Sequence, residues 1–179
     1  MSGAAVCTAI GDYLRAGASA PVGDGSIVNL TNVFDYPEKY TPDMDFYDQE
    51  TPGEFSGALI YQYWPGEEER RTALGGLHSG EKLVVYTVNL DCFFRSNEAE
   101  AQTAGLLNRQ FIDSLKAYIR ADRLAGAPGL IFQWGEGNQM GGADLKVRRF
   151  YPRVIKGAGS LTQTYTSVTV SVCEFLLND

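Results

Sequence analysis

The residues whose types could do chemistry are few and scattered. The chain has one histidine, His78, in a Gly/Ser-rich stretch. A general base needs a partner within hydrogen-bond reach, and no serine or cysteine nucleophile pairs with His78 by sequence logic, so it reads as a surface residue. Cys7, Cys92 and Cys173 lie far apart inside apolar patterns. They read as buried free thiols rather than disulfides, which fits synthesis in a reducing compartment. No Cys/His cluster has metal-ligand spacing. Asp43-Met-Asp45-Phe-Tyr-Asp48 lacks the glycine and closing glutamate of a calcium loop. Gly135-Glu-Gly137-Asn-Gln-Met140-Gly141-Gly142 looks superficially like a dinucleotide fingerprint, but its spacing is wrong and no helix is expected after it. The sequence therefore offers no catalytic residue, no metal ligand set and no cofactor site, and an enzyme is not expected.

Two charged segments are the stronger signals. Residues 35–55 hold seven acids against one lysine, together with Pro37, Pro42 and Pro52. They also hold Tyr36, Tyr40, Phe46, Tyr47 and Phe55, more aromatics than a solvated linker carries. A connection this long inside one domain is uncommon unless it has a role. Asp35, Glu38, Asp43, Asp45 and Asp48, with Tyr36, Tyr40, Phe46 and Tyr47, are the candidate contact residues of this segment. The basic counterpart is Lys146, Arg148, Arg149, Arg153 and Lys156, with Lys146 and Arg148 on one face of an expected strand. Three readings of the basic strip stand side by side: contact with the acidic segment of another copy, phosphate contact, or solvated charge of little energetic value. The first accounts for both segments together, because contact between unlike patches runs head to tail and closes into a ring when the rotation allows. The glycine-rich turn, with Gly135, Gly137, Met140 and Gly141, is a candidate loop tip in such an assembly.

The elements that must position these segments follow from periodicity. In Leu83–Phe94 the positions Val84, Tyr86, Val88, Leu90, Cys92 and Phe94 are apolar, while Thr87, Asn89 and Asp91 alternate with them. That period of two marks a strand with one buried face. From Glu98 to Ala121 the period changes: Ala101, Ala104, Leu107, Phe111, Leu115, Tyr118 and Ile119 form the stripe of a long helix. Asn97 followed by Glu100 reads as its cap. Ala4–Ala16 reads as a short helix closed by Gly17, and Ser26–Phe34 as a strand. Gly57–Trp64 is expected to turn at Pro65-Gly66 into a return strand over Arg70–Leu74. Leu130–Trp134, Asp144–Lys156 and Leu161–Leu177 complete the strands. Strands in runs with two helices predict an α+β domain: a mixed or antiparallel sheet with one long and one short helix on one face, and a long acidic insertion.

The 179 residues suffice for one domain. Net charge is −7, so polyanion binding would need a local basic patch. No apolar run reaches the roughly 18 residues of a membrane helix, and no basic start with a long apolar stretch suggests a signal peptide.

The order of these elements resembles tail terminator proteins of long-tailed bacteriophages. The resemblance is carried by the short N-terminal helix, the strand end Val88-Asn-Leu-Asp-Cys-Phe-Phe-Arg-Ser96, the helix start Asn97-Glu-Ala-Glu100, and the Thr/Val-rich Thr164–Phe175. It implies an α/β fold with helices on a sheet and a structural role without catalysis. The role would be a six-fold ring of identical subunits that caps the tail tube and joins it to the head connector, with DNA passing through unbound. The implied partners are the tube and connector proteins, and the implied location is the virion neck, after synthesis in the host cytoplasm. The acidic insertion and the Asp144–Lys156 strand depart from the family pattern.

Overall fold

The computed structural model describes residues 3–20, 25–35, 57–71, 80–98, 100–121, 132–134, 145–149, 153–155 and 161–178. In chain order these form α1 (Gly3–Ser19), β1 (Leu30–Phe34), β2 (Gly57–Arg71), β3 (Gly80–Ser96), α2 (Ala101–Ala121), β4 (Phe132–Trp134), β5 (Lys146–Arg149), β6 (Arg153–Ile155) and β7 (Leu161–Asn178). All the strands join one mixed sheet ordered β1-β2-β3-β7, with β4, β5 and β6 each pairing with β7. β1 is parallel to β2, and every other pairing is antiparallel. The architecture is α+β, with both helices on one face.

β3 and β7 are the spine. They pair over seventeen rungs, from Gly80↔Asn178 to Ser96↔Thr162. The alternation read in the sequence decides which face is covered, because successive side chains point to opposite sides. Val84, Tyr86, Val88, Leu90, Cys92 and Phe94 enter one buried cluster with Val168, Val170 and Val172 of β7. α1 adds Val6, Ile10 and Leu14, and α2 adds Phe111, Ile112, Leu115 and Ile119. Leu83, Val85 and Cys173 form a small second cluster on the opposite face. Burying a side chain of this kind contributes about 1.5–3 kcal/mol, so the helix-covered face holds most of the hydrophobic stabilisation.

Several local expectations need correction. α1 is the shorter of the two helices but extends past the expected end at Ala16, through Gly17 to Ser19. Gly17 is not a left-handed cap but a point of close approach, where a Cβ would lie 2.7 Å from the Tyr118 ring. β1 begins only at Leu30, because Asn29 takes a left-handed φ of 61° that ends any earlier strand. Pro65-Gly66 does not turn the chain. β2 continues to Arg71, and the pair is absorbed as a register shift between Tyr63 and Gly66. A bulge on a stretch beyond the reach of β1 tolerates the missing proline N–H. α2 starts at Ala101, with Ala104 N–H donating to Glu100 O at 3.1 Å, so Glu100 rather than Asn97 sits at the cap. The expected Asp144–Lys156 strand is two pieces, β5 and β6, whose registers on β7 differ by one residue.

Candidate functional site

The described candidates fall on opposite margins of the sheet. Asp35 follows directly on β1, which ends one side. Lys146, Arg148 and Arg149 belong to β5, on the far side of β7. Arg153 is in β6, on that same side. Tyr36, Glu38, Tyr40, Asp43, Asp45, Phe46, Tyr47, Asp48, Lys156, Gly135, Gly137, Met140 and Gly141 lie outside the described residues, as does His78.

At the first margin Asp35 is engaged within its own chain. Arg15 Nη1 and Nη2 donate to its two carboxylate oxygens at 3.1 and 2.9 Å. Nη1 also donates to Val33 O at 2.8 Å, and Nη2 to Asp12 Oδ1 at 2.8 Å. The hydrogen bond to Asp35 is the chief reason the Arg15 guanidinium holds its proton more tightly than usual. Gln62, fully buried on β2, donates through Nε2 to Asp35 Oδ1 and to Cys7 O, both at 2.6 Å. The alternative amide orientation would turn Oε1 toward two acceptors, so this assignment is the electrostatically sound one. Gly11 makes the arrangement possible, since a Cβ there would run into the Asp35 carboxylate and the Gln62 amide. α1, the end of β1 and β2 are thus tied together at Asp35, the first residue of the acidic segment. Nothing in the sequence spacing links Arg15, Asp35 and Gln62; only the parallel β1–β2 pairing brings them together.

At this margin β1 pairs with β2 only through Tyr61. Beyond it Trp64 is 40% exposed, its indole resting on Gly3 of α1. Glu67, Glu68, Glu69 and Arg70 follow, all exposed. Arg70 pairs with Glu68 at 2.8 Å and Lys82 with Glu69 at 3.2 Å. The Arg70 contact lowers the Glu68 pKa. Glu67 has no ion-pair or hydrogen-bond partner among the described residues. The turn chemistry of Pro65-Gly66 masks this acidic strand in the local pattern.

At the second margin, register sets the direction of the basic side chains. Lys146 pairs with Thr169 and Arg148 with Ser167, while Val147 pairs with Val168 of the core. Lys146 and Arg148 therefore share the face away from the helices, as expected from their spacing. Both are exposed, and neither has an ion-pair partner among the described residues.

Between the margins, that same face carries a row of half-buried aromatic rings. Phe34 stacks on Tyr61 with centroids 4.6 Å apart, Tyr61 meets Phe93 edge-on at 6.0 Å, and Phe93 meets Tyr165 at 4.9 Å. Polar bonds knit the neighbouring rungs: Tyr165 OH donates to Asp91 Oδ1 at 2.8 Å, Asn89 Nδ2 to Tyr63 OH at 3.1 Å, and Thr169 Oγ1 to Asn89 Oδ1 at 2.8 Å. Partial burial, then the Asp91 bond, raises the Tyr165 pKa. The row braces four strands across the sheet.

Among the described residues no three His, Cys, Asp or Glu side chains gather as a metal site. None of the three cysteines forms a disulfide, and all three are buried. No helix described is long and apolar enough to cross a membrane. The chain matches no protein-family model and no curated protein sequence.

Proposed function

We infer that this chain is a ring-forming structural protein of a long-tailed phage particle, one that caps the tail tube and joins it to the head connector. The observation that carries the reading is the placement of unlike charge at opposite margins of one sheet. Asp35, the first of the seven acids in 35–55, directly follows β1 at one margin, and Lys146 and Arg148 stand exposed on β5 at the other. A two-fold dimer matches a patch with itself, whereas unlike patches on opposite sides favour head-to-tail contact and a closed ring. The element order that resembles tail terminators supplies the six-fold expectation and the position at the neck. A chain with net charge −7 suits a channel that DNA crosses without being held. The ring's work would be mechanical, with the β3–β7 spine holding the contact margins a fixed width apart.

The test is particle imaging. Antibody labelling of intact particles is expected to give density only at the head–tail junction, and particles assembled without the chain are expected to carry tubes of unregulated length. Label distributed along the whole tube would assign the chain to the tube itself, and label on the head side alone would assign it to head closure. Absence from purified particles would refute a virion role.

A further inference from the structure

We propose that the β2 margin beyond β1, centred on Trp64 and Glu67, is the surface that receives Lys146 and Arg148 of the next copy. This rests on the ring reading and specifies its contact. Glu67 on one margin, and Lys146 and Arg148 on the other, are exposed charges that the described chain leaves without ion pairs. The cations beside Glu67 on its own and the next strand are matched to other acids, Arg70 with Glu68 and Lys82 with Glu69. Asp35, the acid of the 35–55 segment that the structure describes, is engaged by Arg15 and Gln62.

Trp64 supplies what the charges lack. Of the exposed large hydrophobic side chains described, it is the one on the sheet, and Leu106 of α2 is the other. Its indole packs against Gly3 of α1 on one side, which restricts the ring an incoming side chain would meet and lowers the ordering entropy lost on contact. Tryptophan and arginine are the residue types that anchor interfaces, and a guanidinium over an indole contributes about 0.5–2 kcal/mol. Lys146 and Arg148 are two residues apart on one strand face, about 7 Å at a strand's rise. Trp64 and Glu67 are three apart across the bulge, with Glu67 opposite Tyr86 on the helix-covered side, so a neighbour tilted to bring its helix-free face over this margin can lay one cation on the ring and the other on the carboxylate. Pro65 at this margin, with no N–H to donate, disfavours strand addition. The contact is therefore between side chains rather than a continuous sheet.

The experiment measures assembly mass against protein concentration for the full chain and its variants by sedimentation velocity, with circular dichroism verifying the fold of each. Glu67→Arg, Trp64→Ala and the pair Lys146→Glu with Arg148→Glu are each expected to raise the half-assembly concentration about tenfold or more. A chain carrying both Glu67→Arg and Arg148→Glu is expected to recover most of that loss, which a general surface effect would not give. If the wild-type chain assembles and these variants assemble equally well, the β2 margin is not the receiving surface, while the ring reading stands. A wild-type chain that stays monomeric overturns both.

Discussion

Tyr13 and Tyr118 each donate a phenol hydrogen to the other's backbone carbonyl. Tyr13 OH reaches Tyr118 O at 2.7 Å, Tyr118 OH reaches Tyr13 O at 3.1 Å, and the ring centroids lie 4.6 Å apart. This reciprocal pair joins α1 to α2 across 105 residues of chain. A net hydrogen bond contributes about 0.5–1.5 kcal/mol, so Tyr13→Phe and Tyr118→Phe are each expected to lower stability by about 1 kcal/mol in urea unfolding. Gly17→Ala is expected to cost more. Its helix-propensity gain of about 1 kcal/mol is outweighed by overpacking of about 1–3 kcal/mol, because the new methyl would press on Tyr118 and on Ile27.

Gly11 is governed by the same balance, with a different neighbour. Gly11→Ala would push α1 away from Asp35 and Gln62, and is expected to destabilise by about 2 kcal/mol or more. Asp35→Ala is expected to cost about 1–3 kcal/mol, because it leaves the Gln62 amide with one acceptor fewer in a buried place. Urea midpoints of the two variants and their double mutant test the coupling. Additive losses would contradict a shared network.

The carboxylate of Glu174, 4% exposed, accepts from Tyr86 OH at 2.5 Å on the helix-covered face. Tyr86→Phe removes that donor from a buried acceptor and is expected to lower stability by about 1–3 kcal/mol. Glu174→Gln, which keeps an acceptor and lowers the desolvation cost, is expected to be milder. Equal losses would contradict the argument.

Alkaline pH is expected to weaken the fold. Burial, then the nearby Asp35 charge, pushes the Cys7 thiol from its ordinary 9.0 up to about 11. Folded chain therefore holds this proton more tightly than unfolded chain. The resulting stability is fully present below pH 9 and is lost as pH rises toward 11. Tyr86 and Tyr165, both raised above their ordinary 10.0 chiefly by burial, extend the decline upward. Melting temperatures recorded from pH 7 to pH 11 are expected to fall above about pH 9, and Cys7→Ala is expected to lessen that fall without abolishing it, because burial also raises the Cys92 thiol. The folded chain is also expected to react slowly with thiol reagents at pH 8, since all three cysteines are buried.

Periodicity made the spine legible. The β3 alternation from Val84 to Phe94 is the core face without exception, and the α2 stripe holds Ala104, Phe111, Leu115 and Ile119 as expected. Ile112 and Asn108 are buried too, because a helix seated on a sheet covers a wider arc than a minimal stripe. Local signals failed where tertiary contacts decided the conformation. Gly17 and Pro65-Gly66 carry the residues of a cap and a turn, yet one makes room for Tyr118 and the other is a bulge within a long strand. For the contact margins, sequence spacing gave the shared face of Lys146 and Arg148. The engagement of Asp35 by Arg15 and the exposure of Trp64 beside Glu67 depend on pairing over long separations, which no local pattern encodes.

The most direct measurement of the central claim is the native mass of the purified wild-type chain over a wide concentration range, with class averages of the particles by electron microscopy. Head-to-tail association predicts closed rings of one size, six subunits by the resemblance, that dissociate to monomers on dilution and at high salt. A two-fold dimer as the end state, or monomers at every concentration, would contradict it.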